Sequence, residues 1–256
     1  MSLLRHTRVA VPKRVLVLVT VAAAACGCLS ETSAPDSSAR SPTLPEPAAG
    51  RVVLDVPAEI RAESRYLFYL HGQIIEDQGV RPVHPEFGVY EYEAVLASLA
   101  QAGFVVISEA RGPRTDGEEY ARKVVAQVET LLAAGVPPER ISVVGFSKGG
   151  GIAVQVSALL HDERVNFVFL GTCAKRFRGR PALDLRGRVL SIYEASDPVA
   201  GPCSDFLSAS VVAPEFEELR LAVGGGHGAF YRPDRAWLDP VLAWCEGREV
   251  SITEEP

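Results

Sequence analysis

Aromatic residues are scarce in this chain, at 7%. Apolar content is nonetheless 47%, enough to fill a core without disulfide staples. No pair of cysteines is spaced C-x-x-C, and the five histidines are scattered. The chain thus lacks the ligand clusters a metal site needs, and nothing else in it points to a cofactor. No repeat period is visible, which excludes solenoids and propellers. No apolar run is long enough to span a bilayer comfortably. The longest, Val15 to Ala25, has about 11 residues against the roughly 20 a spanning helix takes. Positive charge is also in deficit: 26 Lys and Arg stand against 32 Asp and Glu, a net of −6. An acidic protein is a poor partner for nucleic acid or for an anionic membrane surface.

The run at Val15 is informative despite its length. Arg5, Arg8, Lys13 and Arg14 precede it, and small residues and Cys26-Gly27-Cys28 follow. A basic segment, a short apolar segment and a small-residue end predict an export signal over residues 1–25. Two processing modes stay open. Ala22 to Ala25 suits an ordinary signal peptidase and a periplasmic or extracellular protein. Ala24-Ala25-Cys26 resembles a bacterial lipoprotein lipobox, with Ala23 where Leu is usual. That resemblance implies an acylated Cys26 and a membrane tether. Removing the signal takes four basic residues and no acidic ones, so the mature charge would be 22 − 32 = −10. Residues 26–50 are rich in Ser, Pro and Ala and cannot bury a core, so they are expected to be a flexible tether. Beyond the processing site, Cys173, Cys203 and Cys245 remain. A Cys173–Cys203 bridge and three free buried thiols are both compatible with the sequence.

From residue 51 to 247 the pattern is strand and helix in alternation. Short apolar β-branched or aromatic runs occur at Arg65–Leu70, Phe104–Ser108, Ile141–Val144, Asn166–Leu170, Val189–Tyr193 and Glu218–Val223, with a weak edge strand at Arg51–Pro57. Helical spacing appears at Tyr90–Ala102, from the cap Asp116 to Ala134, at Gly149–His161, and in a last helix starting at Pro233 or Asp239. Gln73–Gly88 reads as a long polar loop, and residues 248–256 as an acidic tail. Alternation over nearly 200 residues predicts an α/β fold with a mostly parallel sheet covered on both faces. Function in such sheets sits at the carboxyl ends of the strands. His71, Ser147, Asp197 and His227 all follow predicted strands, so they should meet on one rim.

The chemistry centres on Gly145-Phe146-Ser147-Lys148-Gly149. A strand leads into this G-x-S-x-G and a helix leads out. That context makes the motif a strained turn that lifts a serine hydroxyl above the sheet. The residues two before and two after the serine must be very small, as Gly145 and Gly149 are. A serine needs a base, and the base needs an acid to fix its tautomer. His227, in a glycine-rich loop after the last strand, is the candidate base. Asp197 is the candidate acid, with Glu194 and Asp205 as alternatives. A tetrahedral intermediate needs amide donors. These are expected from Lys148 and from the turn after His71-Gly72, at Gln73 or else Ile74. The Lys148 side chain is expected to be solvated, and His71 to be a loop anchor.

With Leu70-His71-Gly72-Gln73, the elbow, Ser196-Asp197 and the stretch from Gly224 to Tyr231, residues 51–247 resemble the α/β-hydrolase superfamily. The resemblance implies an α/β-hydrolase fold and hydrolysis of a small-molecule ester or related acyl substrate through an acyl-enzyme, without metal or organic cofactor. It does not choose among esterases, peptidases and thioesterases. A catalytically inactive surface binding protein is the remaining alternative. There is no HGGG run, and the segment from Gly171 to Arg188 is too short for a large cap domain. That segment is basic, with Lys175, Arg176, Arg178, Arg180, Arg186 and Arg188, and the charged loop Ile74–Tyr90 must lie beside the site; together they suggest a polar or anionic acyl group, with solvated loops as the plainer alternative for both. Oligomeric state is not legible.

Overall fold

The computed structural model describes residues 50–174, 184–204 and 215–250. The signal segment, Cys26, the tether, Lys175, Arg176, Arg178, Arg180 and Asp205 lie outside them. The elements run in order: β1 (Arg51–Val53), β2 (Arg65–Leu70), α1 (Gln73–Gln78), β3 (Val83–His84), β4 (Gly88–Val89), α2 (Tyr92–Gln101), β5 (Phe104–Ile107), α3 (Gly117–Ala133), β6 (Ile141–Phe146), α4 (Lys148–Leu160), β7 (Asn166–Leu170), β8 (Cys173–Ala174), β9 (Arg188–Glu194), β10 (Ala200–Gly201), β11 (Glu215–Leu221) and α5 (Arg235–Cys245). Seven strands form one sheet in the order β1-β5-β2-β6-β7-β9-β11, and every neighbouring pair is parallel.

Burial on both faces explains the near-continuous apolar strands. In β2, Tyr66, Phe68 and Leu70 face one core with Val124, Val128, Ile152 and Val156 of α3 and α4. Leu67 and Tyr69 face the other core with Val95 and Leu99 of α2 and Trp237 and Trp244 of α5. β7 splits the same way, Phe167 and Phe169 to the first face and Val168 and Leu170 to the second. Each such phenylalanine contributes about 1.5–3 kcal/mol by leaving water.

Helix starts follow their caps. The Asp116 carboxylate accepts from the Glu118 and Glu119 amides at 2.9 Å, and these amides hold its pKa below the usual value. The final helix is capped by Asp234, which accepts from Ala236 N–H at 2.9 Å. It therefore begins at Arg235, between the two expected starts.

One expectation fails here. Gln73–Gly88 is not one long loop: it forms α1 and the small antiparallel hairpin of β3 and β4. Alternation and helical periodicity are both invisible in pieces this short. Of the basic segment, Arg186 and Arg188 are among the described residues. Arg188 opens β9 opposite Asn166 and pairs with Glu215, the first residue of β11, at the amino ends of the strands. Arg186 pairs with Asp184 and Glu163. Among the described residues, no helix is long and apolar enough to cross a membrane.

Candidate active site

The turn between β6 and α4 is tight because its backbone crosses itself and a neighbouring strand. A Cβ on Gly145 would lie 2.3 Å from the Gly149 carbonyl oxygen. A Cβ on Gly149 would lie 1.9 Å from the carbonyl oxygen of Leu70, at the end of β2. Ser147 between them has φ 53° and ψ −114°, a conformation costing about 1–3 kcal/mol for a residue with a side chain. Its amide donates to the Leu170 carbonyl at 2.9 Å, so the end of β7 holds the strained residue.

Gly224, Gly225 and Gly226 follow β11 with φ of 75°, 89° and 55°. This left-handed run turns the chain back over the rim and delivers His227 in a short 3-10 turn, Gly226–Phe230. The imidazole packs on Phe146 at 4.9 Å between centroids and against Gly171, where a Cβ would come within 3.4 Å of the ring. Its Nε2 is 2.9 Å from Ser147 Oγ, and its Nδ1 is 2.7 Å from Asp197 Oδ2. The other Asp197 oxygen accepts from the Val199 and Ala200 amides at 2.7 and 3.1 Å. The Asp197 side chain is fully buried and that of His227 is 10% exposed.

Glu194, the alternative acid, is buried and otherwise engaged. It accepts from the Ser196 amide and hydroxyl and, at 3.1 Å, from the Gly224 amide. It ties the turn bearing Asp197 to the glycine run before His227. A disulfide joins Cys173 to Cys203, with Cα atoms 5.2 Å apart, beside the β8–β10 pairing that brackets the same turn. Cys245 is a free, buried thiol whose pKa burial pushes up to about 12.

On the opposite flank, β2 ends in His71. The ring is wholly buried, and burial first, then the Arg111 charge, pushes its pKa down to about 3. It is therefore neutral. Its Nε2 accepts from the Arg111 amide at 2.8 Å, which leaves Nδ1–H to donate to the Gly72 carbonyl at 2.8 Å. In a trans peptide the C=O and N–H are opposed, so Gln73 N–H points away from His71. Gly72 lies against the elbow: a Cβ there would be 3.6 Å from Ser147 Cβ. The Lys148 amide opens α4, where the first N–H groups have no partner within the helix.

The Lys148 side chain is not simply solvated. Its Nζ pairs with Glu76 and donates to the Thr115 carbonyl at 2.9 Å. Glu76 is itself buried between Lys148 and Arg111, whose Nε lies 2.9 Å from Glu76 Oε1. Phe87, between β3 and β4, is a further neighbour that the sequence did not mark. A Cβ on Gly228 would fall 2.4 Å from Phe87 Cβ, so this aromatic side chain lies against the His227 turn. A cavity of about 710 Å³ opens beside it, lined among others by Glu86, Phe87, Ser196, Arg232 and Trp237.

A serine on the turn after β6, a carboxylate after β9 and a histidine after β11 of a seven-stranded parallel sheet decide the architecture. The chain has the α/β-hydrolase fold. No protein-family model and no curated protein matches it. Among solved structures it is similar to a lidless α/β serine hydrolase from Xanthomonas campestris, at 15% identity over 75% of this chain and 84% of that one, with TM-score 0.43. It is also similar to a putative dienelactone hydrolase from Klebsiella pneumoniae, at 16% identity over 74% and 89%, with TM-score 0.49. Esterase PE8 is similar at 15% identity over 78% and 99%, with TM-score 0.49.

Proposed function

We propose that this α/β-hydrolase-fold protein is a serine hydrolase of carboxylic esters or related small acyl compounds. The observation that carries the reading is the chain of contacts from Ser147 Oγ to His227 Nε2 at 2.9 Å and from His227 Nδ1 to Asp197 Oδ2 at 2.7 Å. A serine hydroxyl is a weak nucleophile near neutral pH. Here a base stands within reach of its proton, and a carboxylate holds that base in one tautomer.

In the reading, Ser147 Oγ bonds to the acyl carbon as its proton passes to His227 Nε2. The carbonyl electron pair moves onto oxygen, and the Gln73 and Lys148 amides donate to that oxyanion. Collapse expels the alcohol, which takes the proton from His227. Water then repeats the sequence on the acyl-enzyme and releases the acid. Asp197 keeps its charge throughout and stabilises the imidazolium. No metal or organic cofactor takes part in these steps.

The test is a fluorophosphonate probe on the purified protein. Covalent labelling of the wild type but not of Ser147→Ala is expected, and an unlabelled wild type would sink the reading. Short p-nitrophenyl esters, thioesters and aminoacyl anilides then separate esterase from thioesterase and peptidase. Export is part of the same proposal, as a lipoprotein acylated at Cys26 or as a periplasmic or extracellular protein. The Cys173–Cys203 disulfide fits an oxidising compartment. Mass spectrometry of the mature N-terminus tests this point.

A further inference from the structure

The two amides assigned to the oxyanion belong to different elements. Gln73 is the first residue of α1, and Lys148 is the first residue of α4. Their parent strands pair only as far as Leu70 against Gly145. Beyond that register, backbone hydrogen bonding between β2 and β6 does not set the distance between the amides. Yet two donors must converge on one oxygen to within about 0.5 Å to stabilise it well.

Side chains span this gap. Glu76 lies three residues after Gln73 on α1 and is 3% exposed. Its Oε2 takes the ammonium of Lys148, the very residue whose amide is the second donor. Its Oε1 takes Arg111 Nε at 2.9 Å. Arg111 in turn donates from its guanidinium to the His71 carbonyl and from its backbone N–H to His71 Nε2. The end of β2, α1, the Arg111–Thr115 segment and the start of α4 are thus cross-linked by one carboxylate and two cations.

Stability alone is a poor reason for such an arrangement. A buried ion pair contributes little net free energy, and an apolar replacement of similar volume is often as stable. What charges in a low dielectric do supply is a defined separation.

We propose that Glu76, with Lys148 and Arg111, acts as a positioning clamp that sets the geometry of the oxyanion hole. The proposal rests on the serine-hydrolase reading. Glu76 touches no reacting atom. It acts through the two amides, so its loss should weaken the binding of the transition state and leave ground-state binding nearly intact.

The experiment compares wild type with Lys148→Met, Lys148→Arg and Glu76→Gln. Lys148→Met keeps the length of the stem and leaves Glu76 paired with Arg111, so it is the variant expected to fold. Glu76→Gln strands two cations and is scored only if circular dichroism shows it folded; otherwise Lys148→Met decides. Steady-state kinetics on a p-nitrophenyl ester are combined with inhibition by a trifluoromethyl ketone, which forms a tetrahedral adduct. In Lys148→Met we expect kcat to fall about 10- to 100-fold with KM within about threefold of wild type. Affinity for the ketone should weaken by the same factor as kcat, and Lys148→Arg should recover most of the loss. A merely structural role would not move ketone affinity in step with kcat. Wild-type kcat in folded Lys148→Met, or a loss confined to KM, overturns the clamp alone. A wild type that neither takes the fluorophosphonate nor turns over any ester overturns the hydrolase reading and the clamp together.

Discussion

Two histidines stand at the carboxyl rim of one sheet and have opposite surroundings. His71 is wholly buried, and its ring nitrogens face the Arg111 amide and the Gly72 carbonyl. His227 keeps an edge to solvent, and its nitrogens face a carboxylate and a serine hydroxyl. The first ring can only hold backbone in place, because neither partner exchanges a proton. The second can pass a proton in one direction while its charge is met from the other. The regions around them differ in the same sense. The His71 flank is held by side-chain charges, the buried Arg111 and Glu76 and the partly buried Lys148. The His227 flank is held by backbone amides on Asp197, by Glu194 and by a disulfide.

The largest effect that would break this comparison is on the His227 flank. Asp197→Asn should lower kcat by about 10⁴-fold, because an amide favours the wrong imidazole tautomer. Glu194→Gln keeps the same fold segment and the same approximate shape. It should lower kcat far less while costing about 1–3 kcal/mol of stability through weakened bonds to Ser196 and Gly224. Steady-state kinetics and urea unfolding of both variants would separate the roles. Equal kinetic losses would mean that the acid has been misassigned between them.

A smaller effect separates how the two flanks are held. Replacing Cys173 and Cys203 by serine opens a loop with a sequence separation of 30 residues. Unfolding free energy should fall by about 3 kcal/mol, read from the urea midpoint. Activity should fall as well, since Ala200, at the start of β10, donates to Asp197. Lys148 and Glu76 lie on the other flank, so the double serine variant should leave the ratio of wild-type to Lys148→Met activity unchanged.

Much of this was legible in the sequence, and the reasons are particular. The strand at Asn166–Leu170 was read to the residue, since five apolar or amide positions between turn signals leave little choice. Ser147, Asp197 and His227 were readable together because their chain order and their places after strands are properties of sequence. Sequence alone leaves the Lys148 side chain in solvent and Glu76 in a solvated polar loop. In the fold Glu76 is buried and the partly buried Lys148 pairs with it. A lone charge carries no periodicity, and its partner Arg111 lies 35 residues from Glu76, so nothing local marks the pairing. Likewise, the Cys173–Cys203 pairing needed Cα positions that spacing alone does not supply. Phe87 was missed because the six-residue α1 and the two-residue strands around it are too short to show a period.

The smallest effect sharpens the contrast between the histidines themselves. His71 is neutral in the fold down to a pKa of about 3, whereas an unfolded histidine protonates near 6.5. Below pH 6.5 the unfolded chain therefore binds a proton that the folded chain refuses. The contribution is fully present above 6.5, falls as pH drops toward 3, and levels off below. The slope in this window is about 1.4 kcal/mol per pH unit from this one group. The positive charges of Arg111 and Lys148 near the ring make uptake of a further proton unfavourable. Carboxylates titrate in its lower half, so the measurement is the difference between wild type and His71→Gln in urea stability from pH 6.5 to 5. His71→Gln should be less stable at pH 7 and should lose less on acidification. Parallel pH curves for the two proteins would mean that His71 takes up its proton in the fold as readily as in the unfolded chain. The anchoring role drawn from its buried, neutral ring would then fail.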